Sequence, residues 1–385
     1  MLPSQRALFD MPREVCYLNA AAWSPLPLAV RDASLAGVAR KARPWELDPG
    51  LPAAQFARAR DAAAALIGAA AADIALIPSI SYGVATAAKL LPVSRGSRVL
   101  VLQDDHSSPV LEWLAREAEQ GFTVDTVARP DDADWTTAVL DAIARPGAVP
   151  VAVASISSVH WADGGMLDLG RIAVALRAQG AALVVDATHG AGVMPLDVRA
   201  FDPDFLVFPT YKWVLGPYGR AFLYVARRHQ GGVPLEQTAS GRRAVAADRE
   251  PYFADIAYTD GARRFDMGER DHFIGMEMAS VGMEMIAGWG AEAIAGRLRM
   301  LTARLAEGVA GLGVRVPPAA LRAPHVLCLE FPAGMPDGLA ERLAQDNVHV
   351  APRLGRLRIS PHVYNDETDV DRFLRAFRTA MPRHA

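Results

Sequence analysis

Short apolar runs alternate with amphipathic, alanine-rich stretches along the part of the chain before Arg227. Unbroken apolar runs are typical of strands buried on both faces of a parallel sheet, and the stretches between them have helical spacing. The predicted strands are Ile74–Ile77, Val99–Leu102, Thr123–Val127, Val149–Ala154, Ala182–Val185, Phe205–Phe208 and Phe222–Val225. The predicted helices are Tyr82–Leu91, Val110–Gln120, Asp134–Ala144, Leu169–Gln179 and a short segment around Val198. This alternation predicts an α/β domain built on a mainly parallel sheet of these seven strands.

The regular alternation of apolar runs and amphipathic stretches ends after Arg227. Residues 231–261 are rich in glycine, arginine and proline and predict a long surface excursion, which in a compact domain is more often functional than idle. A long helical region is predicted from Asp271 to Ala310. The remaining predicted elements are the strands Val326–Phe331, Val348–Pro352 and Leu357–Ser360 and the helix Thr368–Met381. We therefore predict a large domain over residues 15–280 and a smaller α/β domain over residues 281–385, completed by residues 1–14.

Composition argues against several classes of protein. The formal net charge of −3 makes a nucleic-acid surface or an anionic membrane an unsuitable main partner. No apolar run reaches the roughly 18 residues of a membrane-spanning helix, and no signal-peptide core is present, so we expect a cytoplasmic protein. Cys16 and Cys328 lie beside or within apolar runs, which indicates buried thiols without a disulfide framework. The nine histidines lack metal-ligand spacing, so no metal site is predicted.

One lysine gives the first indication of chemistry. Lysine and arginine together number 40, yet the lysines are only Lys41, Lys89 and Lys212. Lys212 follows an apolar run and stands between aromatic residues, just before the glycine-rich turn at residues 216–219. A lysine beside aromatic surface can lose its proton and form an imine, whereas arginine stays charged. Lys212 is therefore a candidate for a Schiff base with an aldehyde cofactor, and no nucleotide-binding glycine motif competes with this interpretation.

Polar residues follow several predicted strands, at the positions where open sheets bind ligands. Asp186 either holds a pyridine nitrogen protonated or caps a turn. His189 either donates to a phenolic oxygen or is an ordinary buried histidine. Ser81 either binds a phosphate or caps a helix, and His106 either lies over an aromatic ring or belongs to an exposed loop. Jointly and in this order, these residues match a pyridoxal-phosphate (PLP) site.

The same residues lie in motifs that resemble class V of the fold-type I PLP-dependent enzymes. This group contains cysteine desulfurases, kynureninase and isopenicillin N epimerase, and the resemblance extends over almost the whole chain. The matching segments are Tyr17-Leu18-Asn19-Ala20-Ala21, Asp105-His106-Ser107-Ser108, Val185-Asp186-Ala187-Thr188-His189, Tyr211-Lys212-Trp213 with Gly216-Pro217, and Leu357-Arg358-Ile359-Ser360 with Tyr364-Asn365. The Tyr-Lys-Trp segment is most similar to the kynureninase and epimerase side of the group.

This resemblance implies a fold-type I transferase fold, PLP as cofactor and an α-amino acid as substrate. The implied catalytic residues are Lys212 as the Schiff-base lysine, His106 stacked on the cofactor and Asp186 at its pyridine nitrogen. It also implies that Arg358 grips the substrate α-carboxylate. The other implied contacts are Ser81 and Tyr82 near the phosphate, Ser158, His189 and Tyr211 around the cofactor, and Asn19 beside the substrate. Members of this group are usually homodimers with shared active sites, so we expect a homodimer.

Departures from the family pattern bear on the reaction. Ser158 stands where the family often has an asparagine against the phenolic oxygen. Glu269 stands where a threonine usually reaches the phosphate of the neighbouring subunit, and Arg270 is a candidate substitute. No cysteine occurs between Phe331 and Arg358, where desulfurases carry the persulfide nucleophile. Persulfide-forming desulfuration is therefore not expected.

We predict β-elimination or C–S lyase chemistry on an amino acid, because of the Tyr-Lys-Trp resemblance. Transamination and epimerisation by the same site stay open, as does a catalytically silent protein that binds PLP or a partner. Several residues in or just after the excursion either recognise a substrate side chain or are solvated. They are Arg242, Arg243, Tyr252, Arg263 and Arg264.

Overall fold

The computed structural model describes residues 2–245, 247–248, 250–271 and 273–381, so the predicted C-terminal limit at residue 385 lies outside the described residues. In these ranges the strands are β1 (Cys16–Tyr17), β2 (Ile74–Ile77), β3 (Arg98–Leu102), β4 (Thr123–Val127), β5 (Val151–Ser157), β6 (Ala182–Asp186), β7 (Phe205–Pro209), β8 (Ala221–Val225), β9 (Arg242–Val245), β10 (Phe253–Tyr258), β11 (Leu327–Leu329), β12 (Val348–His349), β13 (Ala351–Arg353) and β14 (Arg356–Ile359). The α-helices are α1 (Leu28–Ala42), α2 (Leu51–Ile67), α3 (Ile80–Leu90), α4 (Ser107–Gln120), α5 (Trp135–Ile143), α6 (Leu169–Ala178), α7 (Val198–Phe201), α8 (Gly275–Trp289), α9 (Ala291–Gly308), α10 (Leu339–Gln345) and α11 (Glu367–Ala380).

The large sheet contains all seven strands predicted before Arg227. Among the described residues its strand order is β2-β8-β7-β6-β5-β3-β4, and only β8 runs antiparallel to its neighbours. Helices cover both faces of the sheet. The prediction of a mainly parallel α/β sheet is confirmed, as is the fold-type I architecture.

Side-chain alternation explains why these strands read as unbroken apolar runs. In β3, Leu100 and Leu102 belong to one buried cluster, whereas Val99 and Val101 belong to the cluster on the opposite face. Successive side chains of a strand point to opposite faces, so a strand covered on both sides must be apolar at every position. The interior of β3 is therefore apolar on both faces of the sheet.

The predicted limits of β5 were wrong in a way that matters for function. The apolar pattern predicted a strand over Val149–Ala154, but β5 begins at Val151 and continues to Ser157. Pro150 has no backbone N–H for a sheet ladder, so the strand begins after it. The strand continues past Ala154 because its hydroxyl residues still pair with β6, with Ser157 opposite Asp186.

The C-terminal part is tied to the beginning of the chain. β11, β14 and β13 form a three-stranded antiparallel sheet, while β1 pairs in parallel with β12. Asn19 forms an isolated bridge with Ser360. The predicted helical region over 271–310 is two helices separated at Gly290, whose φ of 80° a side chain would disfavour. The division into domains at residue 280 stays a prediction, and α8 crosses that position.

The excursion at residues 231–261 lies on the surface as predicted and contains the antiparallel hairpin β9–β10. Phe253 and Ile256 are 65% and 61% exposed on this hairpin. Helices α1, α2 and α10 were not predicted, because alanine-rich segments with apolar residues on their outer faces, such as Leu35 and Val38 of α1, lack a clear helical period. No helix in the described ranges is long and apolar enough to cross a membrane.

Candidate active site

A cavity of about 280 Å³ lies at the edge of the large sheet where its parallel strands end. Its walls come from the segments that follow β2, β3, β5, β6 and β7, so residues far apart in the chain meet there. This is the edge at which open α/β sheets bind ligands. The predicted site residues that line it are Ser81, His106, Asp186, His189, Tyr211 and Lys212.

Lys212 is buried at the wall of this cavity, with 7% of its surface exposed. Its Nζ lies 3.3 Å from His189 Nε2 and 5.5 Å from the centre of the Tyr211 ring. Burial lowers the pKa of Lys212 to about 8, and the Arg358 charge adds to this effect while Asp186 opposes it. At pH 7 roughly a tenth of the amine is therefore uncharged and nucleophilic, far more than for an ordinary lysine.

The lowered pKa gives a pH profile for cofactor capture. Only the uncharged amine attacks an aldehyde, so the rate at which cofactor-free protein reacts with PLP is expected to rise with pH, with a midpoint near 8. Stopped-flow absorbance over a series of buffers measures this rate. A midpoint near the ordinary lysine value of roughly 10.4 would contradict the effect of burial on Lys212.

Asp186 and His106 lie on different walls of the cavity. Asp186 ends β6, is buried, and accepts the backbone N–H of Thr188 through one oxygen at 2.8 Å. His106 precedes the first residue of α4, and its ring meets Trp161 edge-on at 5.9 Å. The carboxylate of Asp186 can therefore serve a ligand with its other oxygen, and the His106 ring is free to cover one.

Two helix N-termini converge at the cavity. Ser79 caps α3 by accepting the Tyr82 N–H at 3.2 Å, and Ser81 Oγ donates to Ser108 Oγ in the first turn of α4 at 3.1 Å. Backbone N–H groups and hydroxyls at helix N-termini attract anions. This corner is suited to a phosphate, and Ser108 supplies a second hydroxyl beside that of Ser81.

The aromatic rings of Tyr211 and Tyr82, two predicted cofactor residues, lie in different parts of the structure. The Tyr211 ring packs against Tyr218 at 4.4 Å between centroids, and both line the cavity. The Tyr82 side chain does not line it, and its hydroxyl is buried without a hydrogen-bond partner in the described structure. The predicted contact of Tyr82 with a phosphate stays a prediction.

Ser158 is not brought to the cavity, which corrects its predicted placement. Ser158 lines a separate cavity on the other side of the sheet, and no described residue hydrogen-bonds to its buried Oγ. Ser157 lines the candidate site instead and donates to Asp105, whose carboxylate oxygens both lie 2.8 Å from its Oγ. Asp105 also accepts the His106 backbone N–H at 2.8 Å, and burial raises the pKa of Asp105 to about 6. Ser157 thus supports the loop that carries His106.

Arg358 carries a buried positive charge without a counterion. Its side chain is 1% exposed, its Nη1 donates to the Trp161 carbonyl at 2.7 Å, and its Nε has no hydrogen-bond partner. Within the described ranges it forms no ion pair, and burial together with the Arg353 charge lowers its pKa to about 10. Asn19, beside it through the bridge to Ser360, likewise has a buried Oδ1 without a partner. The Arg358 guanidinium fits a bound carboxylate, whereas Asn19 Oδ1 can only accept a hydrogen bond and fits a donor beside that carboxylate.

Residues 263–271 do not reach this cavity within one chain. Glu269 is exposed with a φ of 45°, whereas the Arg270 guanidinium binds Asp266 and lies 4.2 Å from the Phe56 ring centre. The role of Arg270 toward a neighbouring subunit stays a prediction. The arginines of the excursion are also engaged locally, since Arg242 stacks on Tyr258 at 3.9 Å.

Sequence reasoning missed several residues of the site. Ser157, Trp161, Tyr218 and Arg220 all line the cavity, and Arg353 lies 5.9 Å from the Trp161 ring centre. For Ser157 a signal existed in the sequence. If the predicted strand had been extended to Ser157, the alternation of side chains along it would have placed Ser157 and Ser158 on opposite faces of the sheet. Trp161, Tyr218 and Arg220 lie on loops, whose direction the sequence pattern does not report, and Arg353 ends the short strand β13.

The residues around the cavity fit a PLP molecule. The cofactor needs an amine for its aldehyde, a carboxylate for its ring nitrogen and donors for its phosphate. Lys212 and Asp186 supply the first two, and the N-termini of α3 and α4 supply the third. The unpaired Arg358 supplies a cation for the substrate that the cofactor would hold.

Comparison with known proteins agrees with this fit. A family model described as Aminotransferase class-V matches residues 51–373. The chain is 27% identical over 318 residues to the uncharacterized aminotransferase YcbU of Bacillus subtilis, covering 81% of this chain and 80% of that protein. It is 26% identical over 382 residues to isopenicillin N epimerase of Amycolatopsis lactamdurans, covering 94% of each.

A solved structure shares the fold. The complex between the cystine C–S lyase C-DES and its reaction product cysteine persulfide superposes with a TM-score of 0.83 at 18% identity, covering 96% of this chain and 98% of that one. At this identity the likeness concerns the fold alone. The family match, however, covers most of the chain. The chain therefore belongs to the class V aminotransferase family and is a PLP-dependent enzyme.

Proposed function

We propose that this enzyme acts on a sulfur-containing α-amino acid and cleaves its Cβ–S bond by β-elimination. The observation that carries an amino-acid substrate is the buried Arg358 guanidinium, which forms no ion pair among the described residues and lies 6.0 Å from the ring centre of the cavity residue Trp161. The Tyr211-Lys212-Trp213 segment, similar to the kynureninase and epimerase side of the family, and the fold shared with a C–S lyase support the elimination.

Each site residue has a proposed role. When bound, PLP supplies an electron sink for the negative charge that develops at the substrate Cα. Arg358 would hold the α-carboxylate, and Asn19 would accept a hydrogen bond beside it. Asp186 would keep the ring nitrogen protonated, and the His106 ring would cover the ring face.

Lys212 has two proposed tasks. It would attach the cofactor and, once its amine is released, take the proton from the substrate Cα. Its lowered pKa suits both tasks, because each requires the uncharged amine. The Cβ–S bond would then break, the sulfur would leave as a thiol or persulfide with the proton that Lys212 has taken, and water would release pyruvate and ammonia from the remaining carbon skeleton.

The products distinguish this reaction from its alternatives. Purified holoenzyme is incubated with a panel of α-amino acids, and pyruvate, ammonia, keto acid and chirality are assayed separately. Pyruvate and ammonia formed in equal amounts from a sulfur amino acid are expected. Keto acid formed only with an added acceptor would indicate transamination, and loss of optical activity alone would indicate epimerisation; either would overturn the proposal.

Neither cysteine is suited to carry sulfur as a persulfide. Cys328 is buried in β11, donates to the Ala162 carbonyl at 2.8 Å, and burial raises its pKa to about 12. Cys16 is also buried and donates to the Asp369 carbonyl at 3.3 Å. The displaced sulfur therefore leaves the protein directly.

A cysteine substitution tests this directly. The Cys328→Ala enzyme is expected to keep its turnover within about twofold, because a buried thiol of raised pKa is inert. Turnover is measured with the sulfur amino acid that the panel identifies, and Cys16→Ala is the matched control. A large loss confined to Cys328→Ala, with an unchanged circular dichroism spectrum, would favour a persulfide route.

The homodimer expected from the sequence belongs to the same proposal. Exposed apolar side chains on the β9–β10 hairpin and near α1 offer surface for it, including Phe253, Ile256 and Trp45. The cytoplasmic location stays a prediction from the sequence.

A further inference from the structure

Hydrogen bonds on both sides of Trp213 form a directed series. The Trp213 indole N–H donates to His189 Nδ1 at 3.0 Å, and His189 Nε2 lies 3.3 Å from Lys212 Nζ. Farther from the cavity, the Val363 backbone N–H donates to His362 Nδ1 at 2.7 Å, and His362 Nε2 lies 3.1 Å from the Trp213 carbonyl oxygen. The series links the C-terminal part of the chain to the candidate active site.

The donors in this series decide which ring nitrogens carry protons. An indole N–H and a backbone N–H can only donate, so Nδ1 of His189 and Nδ1 of His362 must both accept. A neutral imidazole that accepts at Nδ1 carries its proton on Nε2. His362 therefore donates to the Trp213 carbonyl, and His189 directs an N–H at Lys212.

We propose that Trp213 is a positioning residue that holds His189 in the tautomer whose Nε2–H faces Lys212. That N–H can donate to the lone pair of an uncharged Lys212 amine. A protonated Lys212 would place its own N–H against the His189 N–H, so this tautomer favours the uncharged amine. The same N–H can donate to an oxygen of a bound molecule once the amine has moved. Trp213 acts on the lysine through His189 and touches neither cofactor nor substrate.

The indole is fixed in place by its surroundings. Trp213 is fully buried, and the rings of His325 and His362 lie 4.3 Å and 5.4 Å from its ring centre. Its backbone carbonyl is held by His362, as described above. The indole N–H therefore has one orientation, and His189, only 3% exposed, has no solvent to replace that donor.

Several charged or titratable groups face the Lys212–His189 pair. Burial, followed by the charge of Lys212, lowers the pKa of His189 well below its ordinary value, so the ring is uncharged. His325 and His362 are uncharged for the same reason, with pKa values lowered by burial to about 3 and about 4. The other groups that act on the pair are His106 in the α4 loop, Asp186 on β6, Arg353 on β13 and Arg358 on β14.

The tautomer can be measured without turnover. In full-length protein labelled with ¹⁵N-histidine, long-range ¹H–¹⁵N correlation spectra distinguish a protonated from a bare ring nitrogen. The His189 signals are assigned by their absence from His189→Gln. We expect bare Nδ1 and protonated Nε2 both above and below the Lys212 pKa of about 8, because the fixed indole N–H leaves Nδ1 only an accepting role. Finding the proton on Nδ1 in the unsubstituted protein overturns the proposal, whatever the variants show.

Trp213→Phe removes the indole N–H and keeps an aromatic ring in the same space. The His189 ring is then expected to change its tautomer, so that Nε2 can accept from a protonated lysine. The midpoint of PLP capture should shift upward by about half a unit to one unit, the change expected when one hydrogen bond to the neutral form is lost. An unchanged tautomer and midpoint would refute the role of Trp213.

Trp113→Phe is the matched control. Trp113 is also fully buried, but its indole N–H has no hydrogen-bond partner in the described structure. Both variants lose similar buried surface, so a shift shared by both would show a packing effect and contradict the proposal. The inference rests on Lys212 as the lysine that attaches the cofactor, but a failure of the inference can be distinguished from a failure of that assignment. The tautomer is read from cofactor-free protein, whereas the attachment site is read from a labelled peptide.

Discussion

The Lys212→Ala enzyme is expected to fold and to lose turnover by at least about 10³-fold. The substitution removes the attachment point of the cofactor together with the base proposed to act at the substrate Cα. Folding should be unimpaired, because the polar contacts that the amine loses are one hydrogen bond to His189 and its approach to the Tyr211 ring. Turnover with the substrate found by the product panel measures the loss.

Borohydride reduction of the unsubstituted holoenzyme locates the attachment directly. Peptide mass spectrometry should find the reduced cofactor on Lys212 and no label in Lys212→Ala. Lys89→Ala is the control, because Lys89 Nζ donates to the Pro234 carbonyl at 2.8 Å and does not line the cavity. A label on Lys41 or Lys89 would contradict the assignment of the site.

Replacing Arg358 with methionine is expected to separate substrate binding from stability. The variant should raise KM for the amino-acid substrate about 100-fold, equivalent to about 3 kcal/mol, because the α-carboxylate loses its buried partner. At the same time the substrate-free protein should become more stable to unfolding by about 1 kcal/mol, because a buried charge without a counterion is costly. Steady-state kinetics and urea denaturation measure the two effects.

Arg356→Met supplies the matched control on the same strand. Arg356 lies two residues earlier, is partly exposed and pairs with Glu330 at 2.8 Å. Its replacement should change KM by no more than about fivefold and the free energy of unfolding by no more than about 1 kcal/mol. An Arg358→Met protein that loses stability would show that this guanidinium holds the fold together. An unchanged KM would show that the carboxylate binds elsewhere.

The sequence allowed most of the large sheet to be predicted because its strands are apolar on both faces. Ile74–Ile77, which is buried at every position, was predicted with the limits it has, and so was the more polar, partly exposed edge strand Thr123–Val127. Errors occurred where the apolar signal ended before the strand did, as in β5, whose last residues are polar yet still pair with β6. Helix α1 was missed because its outer face is also apolar.

Whether a predicted site residue lines the cavity depends on which way its side chain points. Lys212, Asp186, His189 and His106 follow strands of one parallel sheet, and such residues converge at one edge whatever the details of the loops. Ser158 was misplaced because a shift of one residue along a strand moves a side chain to the opposite face.

By itself, the sequence determined the α/β sheet, the unusual lysine and the membership of a PLP-dependent family, since each of these is written in local patterns or in motifs of fixed order. Only the tertiary structure decided that Ser157 and not Ser158 supports the His106 loop, that Arg358 is buried without a counterion, and that Trp213 donates to His189. These properties depend on strand register and on contacts between segments distant in the chain. A hydrogen bond or an unpaired charge exists only once those segments have been packed together, so no pattern along the chain contains it.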